Sequence, residues 1–428
     1  MRNNSKTIII GLDGVPLRLL KDLADKGVMP NTRGIISKGI LKKMQSSIPE
    51  ISSVAWSSII TGKKPAEHGI FGFTDLYPNS YELMFPNFND LKTPPFWNSI
   101  DGESIIINVP STYPVREING VHISGFVSID FDKSVYPKTL ITKLKELDYC
   151  LDVDSRKAHK SADLFLADLD KTLKSRIQAY RYLWGFPDWH VFMLVFTGTD
   201  RLMHFLWDAY EDPNHKYHKD FLGHFHMIDE VIGEINANIS EEDSLIMLSD
   251  HGFERLDKDV YINYILRKEG FLKLKETNEP SISSIDYPTK AFALDPARIY
   301  INWKDKYPCG SVDRQDKQRV LKDLVELFSS LEIDNKNVVR DVYRKEEIYS
   351  GSLLEQAPDL VLVGNQGFNL KANIKADKLA DKTIFTGKHT QSDAFLFINQ
   401  SLPEPSSLDK VEVSDVVNIL KNMIYRQK

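Results

Sequence analysis

The chain has 428 residues, of which 42% are hydrophobic and 27% are charged, so it can bury a large core and is not intrinsically disordered. Its formal net charge of −6 argues against a dedicated nucleic-acid-binding protein, because such proteins normally carry an excess of basic residues. The two cysteines, Cys150 and Cys309, are too few and too far apart for a disulfide scaffold or a zinc-thiolate finger.

We expect neither a membrane anchor nor a signal peptide within this sequence. No stretch approaches the roughly 18 consecutive apolar residues of a membrane-spanning helix. The apolar segment Thr7–Leu12 is too short for the core of a signal peptide. We therefore expect a cytoplasmic protein without a membrane span, and its oligomeric state stays open.

Apolar segments that end at polar residues recur along the chain and predict buried strands. These segments are Thr7–Leu12, Ser104–Ile107, Trp189–Phe196, Ser244–Leu248 and Leu360–Val363. Continuous apolar strands separated by helices are typical of a mostly parallel sheet with helices on both faces, so we predict an α/β fold. The less regular residues 77–170 and 256–345 are expected to be insertions that cap the sheet within a single domain spanning residues 1–428.

Polar side chains that bind metals follow several of these strands. Because the carboxyl ends of parallel strands lie at one edge of a sheet, we expect these side chains to meet there. The set comprises Asp13, Asp200, His204, Asp250, His251 and His389. Three carboxylates and three imidazoles suit two adjacent divalent ions, which can hold the attacking and leaving oxygens of an in-line displacement.

Each motif has a simpler explanation when it is taken alone. An Asp-Gly pair after a strand is usually a turn, and an Asp and a His four residues apart often form a surface ion pair on a helix. The serine-rich segment Ser52–Ser58 is most simply a helix cap, although a hydroxyl at a helix N-terminus can also be a nucleophile. The order of the motifs at successive strand ends favours the catalytic interpretation.

Further histidines follow His204 on a predicted helix. They are His215, His218, His224 and His226. An additional metal site is conceivable, but we expect these side chains to be solvated or packed in the core. Arg201, beside Asp200, is expected either to contact phosphate or to pair with a nearby carboxylate.

Taken in order, these motifs resemble the alkaline phosphatase superfamily, in its type I phosphodiesterase/nucleotide pyrophosphatase branch. The resemblance covers almost the whole chain and implies one alkaline-phosphatase-like catalytic domain. Its motifs include Ile10–Gly14, Ser52–Ser58 with Thr61–Pro65, His68–Ile70, Thr199–Phe205, Ser249–Gly252 and Gly387–His389.

The resemblance implies a role for each residue of the set. One metal would be bound by Asp200, His204 and His389. The other would be bound by Asp13, Asp250 and His251, with the Ser52 oxygen as an additional ligand. The implied cofactors are two divalent ions, Zn²⁺ first and Mn²⁺ as the alternative.

Ser52 is the implied nucleophile, and Ser53 is the alternative if the register differs by one residue. Nucleotide pyrophosphatases carry an asparagine shortly after the His-Gly-Ile motif, whereas residues 68–75 of this chain contain none. Asn108 is either its replacement or a turn residue. We therefore predict Ser53 and Asn108 as substrate-binding residues.

The implied activity is hydrolysis of a small phosphate ester, such as a nucleotide, a sugar phosphate or a lipid head group, through a covalent phosphoseryl enzyme. A phosphodiesterase is predicted ahead of a phosphomonoesterase or a phosphoryl-group transferase, and a noncatalytic binding protein is the alternative from another class. A sulfatase is excluded, because the segment around Ser52 has no Cys-x-Pro-x-Arg element.

Overall fold

The computed structural model describes residues 5–399 and 410–426. The strands, numbered in chain order, are β1 (Thr7–Leu12), β2 (Ile40–Gln45), β3 (Asp75–Leu76), β4 (Leu83–Met84), β5 (Glu103–Val109), β6 (Gly120–Ser124), β7 (Val135–Tyr136), β8 (Trp189–Phe196), β9 (Ser244–Leu248), β10 (Gly252–Tyr261), β11 (Ala291–Leu294), β12 (Arg298–Ile301), β13 (Glu332–Ile333), β14 (Lys336–Asn337), β15 (Val339–Arg344), β16 (Leu360–Gly364), β17 (Gly367–Lys371), β18 (Ala380–Asp381), β19 (Gly387–Thr390), β20 (Ala394–Ile398) and β21 (Val411–Glu412).

The helices are α1 (Leu17–Asp25), α2 (Pro30–Ile36), α3 (Ser52–Thr61), α4 (Pro65–His68), α5 (Leu140–Glu146), α6 (Ala162–Trp184), α7 (Gly198–Glu211), α8 (His218–Ala237), α9 (Ile262–Lys268), α10 (Lys317–Ser329), α11 (Lys345–Ile348) and α12 (Val416–Arg426). The chain divides into two units. The first lies within residues 1–63, 87–253 and 389–428, and the second comprises residues 64–86 and 254–388.

A nine-stranded sheet forms the centre of the first unit, in the order β21-β2-β20-β9-β1-β8-β5-β6-β7. Strand β1 pairs in parallel with both β8 and β9, and β5 pairs in parallel with both β8 and β6. Strand β20 is antiparallel to both of its neighbours, β9 and β2. All six residues of β1 are buried, as expected for a strand covered on both faces.

Glycine at position 11 allows helix α3 to pack closely against β1. A Cβ atom at Gly11 would lie 2.5 Å from the Cη2 atom of Trp56 and 2.9 Å from a methyl carbon of Val195. All ten residues of α3 are buried. The helix is followed by Gly62, whose φ of 67° suits a glycine. The first residue of α3 is therefore held in place by packing.

The second unit has its own hydrophobic core and two four-stranded sheets. In one sheet, β11, β12, β16 and β15 are successive antiparallel neighbours. In the other, β10 is parallel to β17 and antiparallel to β18. Two short hairpins, β3–β4 and β13–β14, complete the strands of this unit.

The predicted fold class is confirmed, because a large and mostly parallel sheet is flanked by helices. The prediction for Leu360–Val363 was wrong in one respect, since these residues belong to β16 of the antiparallel sheet. A short apolar run indicates only that a strand is buried on both faces, and it does not fix the strand's direction or partners.

The second unit differs in extent from the predicted insertions 77–170 and 256–345. Residues 87–170 lie in the first unit, and the second unit continues to residue 388. The assignment of all 428 residues to one domain stays a prediction. Among residues 5–399 and 410–426, no helix combines the length and the apolar character needed to cross a membrane.

Candidate active site

The sequence-predicted metal ligands and Ser52 converge in the first unit. Asp13 follows β1, Ser52 begins α3, and Asp200 with His204 lies in the first turns of α7. Asp250 and His251 follow β9, while His389 lies on β19. Strand ends and helix starts thus bring together residues from distant parts of the sequence.

The first group surrounds the hydroxyl of Ser52. The Oγ atom of Ser52 lies 3.1 Å from the Nε2 atom of His251 and 3.4 Å from the Oδ1 atom of Asp13. The same Nε2 atom is 3.3 Å from Oδ2 of Asp250. The backbone N–H of Gly14 donates to the other Asp250 oxygen and fixes the carboxylate. Asp13, Asp250 and His251 are arranged as a group that could hold a metal ion.

The second group contains Asp200, His204 and His389. The Nε2 atom of His389 lies 3.1 Å from Oδ1 of Asp200 and 2.9 Å from Nε2 of His204. The Nε2 atom of His204 is 3.4 Å from the same Asp200 oxygen. The structure therefore brings the three residues together at a single point.

His251 connects the two groups. Its ring stacks on the ring of His389 with the centroids 3.7 Å apart. Asp200, His251 and His389 also satisfy the distances of a possible metal site, so His251 is close to both groups. The resemblance had placed His251 in only one of them.

The carboxylates of the site have opposite pKa shifts. Burial, with the nearby charges of Asp250 and Asp200, raises the pKa of Asp13 well above its usual value. Burial also raises the pKa of Asp250. Burial alone would raise the pKa of Asp200, but the charge of neighbouring groups, His204 first and Arg201 among them, holds it well below its usual range. Three carboxyl groups in one buried site therefore favour the approach of positive charge.

The hydrogen bonds of two histidines fit the binding of divalent cations. Burial lowers the pKa of both His251 and His389, so their neutral forms are favoured. The Nδ1 atom of His251 lies 3.1 Å from the carbonyl oxygen of Gly252, and that of His389 lies 2.9 Å from the carbonyl oxygen of Glu50. A carbonyl only accepts, so each Nδ1 carries the proton and each Nε2 presents a lone pair to the carboxylates. Lone pairs that face carboxylate oxygens suit a cation between them.

Arg201 pairs with carboxylates, which is one of the two roles expected for it. Its Nη1 atom lies 3.3 Å from Oδ2 of Asp200, and its Nη2 atom lies 3.1 Å from Oδ2 of Asp152. Its guanidinium carbon is 3.9 Å from the centroid of the Phe126 ring. Asp152 and Phe126 were not identified from the sequence, because nothing in their local motifs connects them to Arg201.

The two predicted substrate-binding residues are buried. The amide nitrogen of Asn108 donates to the carbonyl oxygen of Val195 at 3.0 Å and to the hydroxyl of Thr197 at 3.1 Å. Asn108 has a φ of 63° and lies within β5, where the pairing with β6 shifts register between Ile107 and Val109, so it is an irregular strand residue and not the turn residue of the alternative. Ser53 is 3% exposed, and its hydroxyl has no hydrogen-bond partner among the described residues. Substrate binding by either residue stays a prediction.

The additional histidines bond individually to the backbone or are buried. Nδ1 of His218 lies 2.7 Å from the carbonyl oxygen of Ala209, and Nδ1 of His226 lies 3.0 Å from that of Val28. His215 accepts from the N–H of Tyr217, and His224 is 4% exposed. In the described part of the chain, none of the four belongs to a group that could hold a metal ion.

The chain matches one family model and several solved structures. A model described as type I phosphodiesterase / nucleotide pyrophosphatase matches residues 7–392. No curated protein sequence matches the chain. The fold is similar to that of phosphonoacetate hydrolase from Sinorhizobium meliloti 1021 in complex with phosphonoacetate (TM-score 0.67, 15% identity, 99% of this chain and 96% of that chain).

Two further similar structures are ectonucleotide pyrophosphatase / phosphodiesterase 5 proteins. The human protein has a TM-score of 0.58 and 13% identity, over 98% of this chain and 95% of that chain. An inactive murine protein in complex with AMP has a TM-score of 0.55 and 13% identity, over 98% of this chain and 95% of that chain. These likenesses establish the fold, and the family match covers most of the sequence. The chain therefore belongs to the type I phosphodiesterase/nucleotide pyrophosphatase family of phosphoric-ester hydrolases.

Proposed function

We propose that this family member is a metal-dependent phosphodiesterase in which Ser52 is the nucleophile. The observation that carries the proposal is the position of the Ser52 hydroxyl, 3.1 Å from Nε2 of His251 and 3.4 Å from Oδ1 of Asp13. Ser52 also begins helix α3, and the N-terminus of a helix favours the binding of a phosphate. One hydroxyl thus lies beside both the candidate metal ligands and a candidate phosphate site.

The residues present fit two divalent cations. One would be held by Asp13, Asp250 and His251 with the Ser52 oxygen, and the other by Asp200, His204 and His389, the sets that the resemblance implies. When bound, the ions would lower the pKa of the attacking hydroxyl and stabilise negative charge on the leaving oxygen. Zinc is proposed first and manganese second, since carboxylate and imidazole ligands suit both.

The proposed reaction consists of two displacements at phosphorus. A bond forms between the Ser52 oxygen and phosphorus while the bond to the leaving oxygen breaks, which leaves a phosphorylated serine. Water then attacks the same phosphorus, and the bond to Ser52 breaks. The Gly252 and Glu50 carbonyls fix the rings of His251 and His389 throughout, because each accepts a hydrogen bond from an Nδ1–H group.

The proposed substrate is a small phosphate diester. The family match supports this class. The compounds bound in two similar structures, AMP and phosphonoacetate, are a phosphomonoester and a phosphonate. A phosphomonoester is the second candidate, because residues 68–75 lack the asparagine expected of nucleotide pyrophosphatases. The cytoplasmic location stays a prediction.

A pair of serine variants tests the nucleophile. Ser52→Ala should lower turnover of bis(4-nitrophenyl) phosphate by roughly three orders of magnitude or more, because it removes the attacking oxygen. Ser53→Ala is the comparison variant, since Ser53 is the adjacent buried serine and the alternative nucleophile, and its loss of turnover should be much smaller. Turnover should be measured after loading with Zn²⁺ or Mn²⁺, with the metal content determined in parallel. Normal turnover in Ser52→Ala, or an equal loss in Ser53→Ala, would contradict the assignment.

The preference for a diester needs a direct comparison of two substrates. Wild-type protein should turn over bis(4-nitrophenyl) phosphate faster than 4-nitrophenyl phosphate at equal concentration. The opposite order would make the protein a phosphomonoesterase. Transfer of the phosphoryl group to an added alcohol in preference to water would instead identify a transferase.

A further inference from the structure

A small cavity lies in the first unit, behind the turn that connects β8 to α7. It is lined by residues of α6, α8 and this turn, and it has room for about one water-sized species, ≈10 Å³. The residues that matter for its chemistry are Thr172, Arg176, Gly198 and His224. A Cβ atom at Gly198 would lie 3.2 Å from Nε2 of His224, so the absence of a side chain there helps to keep the space open.

Three polar atoms of the lining residues have no hydrogen-bond partner within the described ranges: Oγ1 of Thr172, Nε of Arg176 and Nε2 of His224. The three residues are 5%, 2% and 4% exposed, respectively, so bulk solvent does not satisfy them. Buried polar groups in native proteins are nearly always paired, and each unpaired group costs roughly 1–3 kcal/mol. The rest of the lining is mostly apolar, from Val153, Leu169, Leu173 and Phe196, so these three atoms are the groups that a bound species would satisfy.

The charge of Arg176 indicates what that species is. Its Nη2 atom donates to the carbonyl oxygens of Cys150 and Leu151. Its Nη1 atom donates to the carbonyl oxygen of Val195 and to the hydroxyl oxygen of Thr197. All of these acceptors are neutral. None of the ion pairs among residues 5–399 and 410–426 involves Arg176, and its guanidinium carbon lies 5.6 Å from the centroid of the Tyr149 ring.

Asp152 follows Leu151, one of the acceptors of Arg176, but it pairs with a different arginine. Its Oδ2 atom accepts a hydrogen bond from Arg201. A buried arginine without a counter-charge is costly, and a bound anion would offset that cost as well as accept the Nε–H bond. A water molecule would accept the bond but would leave the charge unbalanced.

We propose that this cavity binds one chloride ion. The ion would accept hydrogen bonds from Nε–H of Arg176, from the hydroxyl of Thr172 and from Nε2–H of His224. Burial lowers the pKa of His224 to about 4, so its ring is neutral near pH 7 and can carry its one proton on Nε2. A monatomic anion is the class that the small volume and the set of donors admit.

The site would stabilise the segment that leads into the candidate active site. Arg176 bonds to Val195 and Thr197, which immediately precede α7 and therefore Asp200. An anion that fixes the guanidinium should strengthen these bonds and raise the thermal stability of the protein. This inference does not depend on the proposed function, since anion binding and unfolding are measured without turnover.

Bromide diffraction tests the proposal on the wild-type protein. Crystals grown or soaked in sodium bromide should give an anomalous difference peak within hydrogen-bond distance of Arg176 Nε, Thr172 Oγ1 and His224 Nε2. A cavity that contains only ordered water under these conditions, without an anomalous peak, would overturn the proposal.

A second test measures unfolding in solution with a matched pair of variants. Replacing gluconate by chloride at constant ionic strength should raise the Tm of the wild-type protein by roughly 2–4 °C. Thr172→Val should reduce this shift by at least half, because it removes one donor without changing the side-chain shape. Thr32→Val is the control, since Thr32 is another buried threonine whose hydroxyl has no partner among residues 5–399 and 410–426. An equal Tm in both salts, or an unchanged shift in Thr172→Val, would contradict the chloride site.

Discussion

The Nε2 atom of His204 lies 2.9 Å from the Nε2 atom of His389, although the two residues are separated by 185 positions in the sequence. His204 is on helix α7, His389 is on strand β19, and both contact the same oxygen of Asp200. The Nδ1 proton of His389 is directed at the carbonyl of Glu50, which leaves its Nε2 lone pair for the site. This convergence of ligands is the basis of the predictions below.

Asp250→Asn should lower metal occupancy at least tenfold, because it replaces a buried carboxylate of the candidate metal site by a neutral amide. The measurement is the metal-to-protein ratio by elemental analysis after dialysis at a series of free Zn²⁺ concentrations. Asp229→Asn is the matched control, since Asp229 is equally buried but accepts the N–H groups of Asn31 and Thr32. The control should lose stability and keep its metal. Unchanged occupancy in Asp250→Asn would refute its role as a ligand.

Arg201→Gln should weaken metal binding by about tenfold, because Arg201 holds the Asp200 carboxylate in position. Arg201→Lys should restore part of the affinity for the metal, because it keeps the positive charge. The recovery should be incomplete, because lysine cannot contact both Asp152 and Asp200 as the guanidinium does. Titration of Zn²⁺ against a competing chelator measures the change. Arg181→Gln is the control, because Arg181 pairs with Glu234 on the surface. Equal affinities in Arg201→Gln and the control would show that Arg201 has no positioning role.

Gly11→Ala should destabilise the protein by roughly 1–3 kcal/mol and lower turnover. The added Cβ would lie 2.5 Å from the Trp56 ring and force α3, with Ser52, away from β1. Gly34→Ala is the control, because the space around that helical glycine is open and alanine favours the helix. Urea denaturation compares the free energies of unfolding. A Gly11→Ala protein as stable and active as the wild type would contradict the proposed packing constraint.

The free energy of unfolding should decrease in acid, and one cause is the buried histidine His122. Burial lowers the pKa of His122 to about 3, whereas the unfolded-state value is near 6.5. The unfolded chain therefore binds the proton more readily, and stability is lost as pH decreases from about 6.5 toward 3. Between pH 7 and pH 5 this histidine should account for about 2 kcal/mol.

His122→Phe isolates this contribution. The ring of His122 packs edge-on against Phe88 and Trp97, at centroid distances of 5.6 and 5.8 Å, so an aromatic replacement suits its surroundings. The variant should show a smaller decrease in unfolding free energy between pH 7 and pH 5, while the contributions of other groups cancel in the comparison. Identical pH dependence in the two proteins would show that His122 is not responsible.

The candidate ligands could be located from the sequence because buried strands and ordered motifs identify them locally. Asp13 and Asp250 each follow an apolar strand, and parallel strands align their carboxyl ends by geometry. The parallel sheet was predictable for the same reason. The apolar run of β16 did not reveal its antiparallel partners, because periodicity alone carries no information about pairing.

Residues that act through distant partners could not be found in this way. Asp152 pairs with Arg201 across 49 positions, and it lies in an irregular segment before α6 whose position beside α7 depends on tertiary packing. Arg176 appears as an ordinary charged residue of a long helix, although it is 2% exposed in the structure. Burial of a charge depends on tertiary packing, so it becomes visible only once the fold is known.

Anomalous diffraction at the zinc absorption edge tests the central claim most directly. Crystals of the protein with Zn²⁺ should show two peaks beside the Ser52 oxygen, one at Asp13, Asp250 and His251 and the other at Asp200, His204 and His389. Protein that is saturated with Zn²⁺ or Mn²⁺ in solution, yet shows no metal peak at these residues at either absorption edge, would contradict the account.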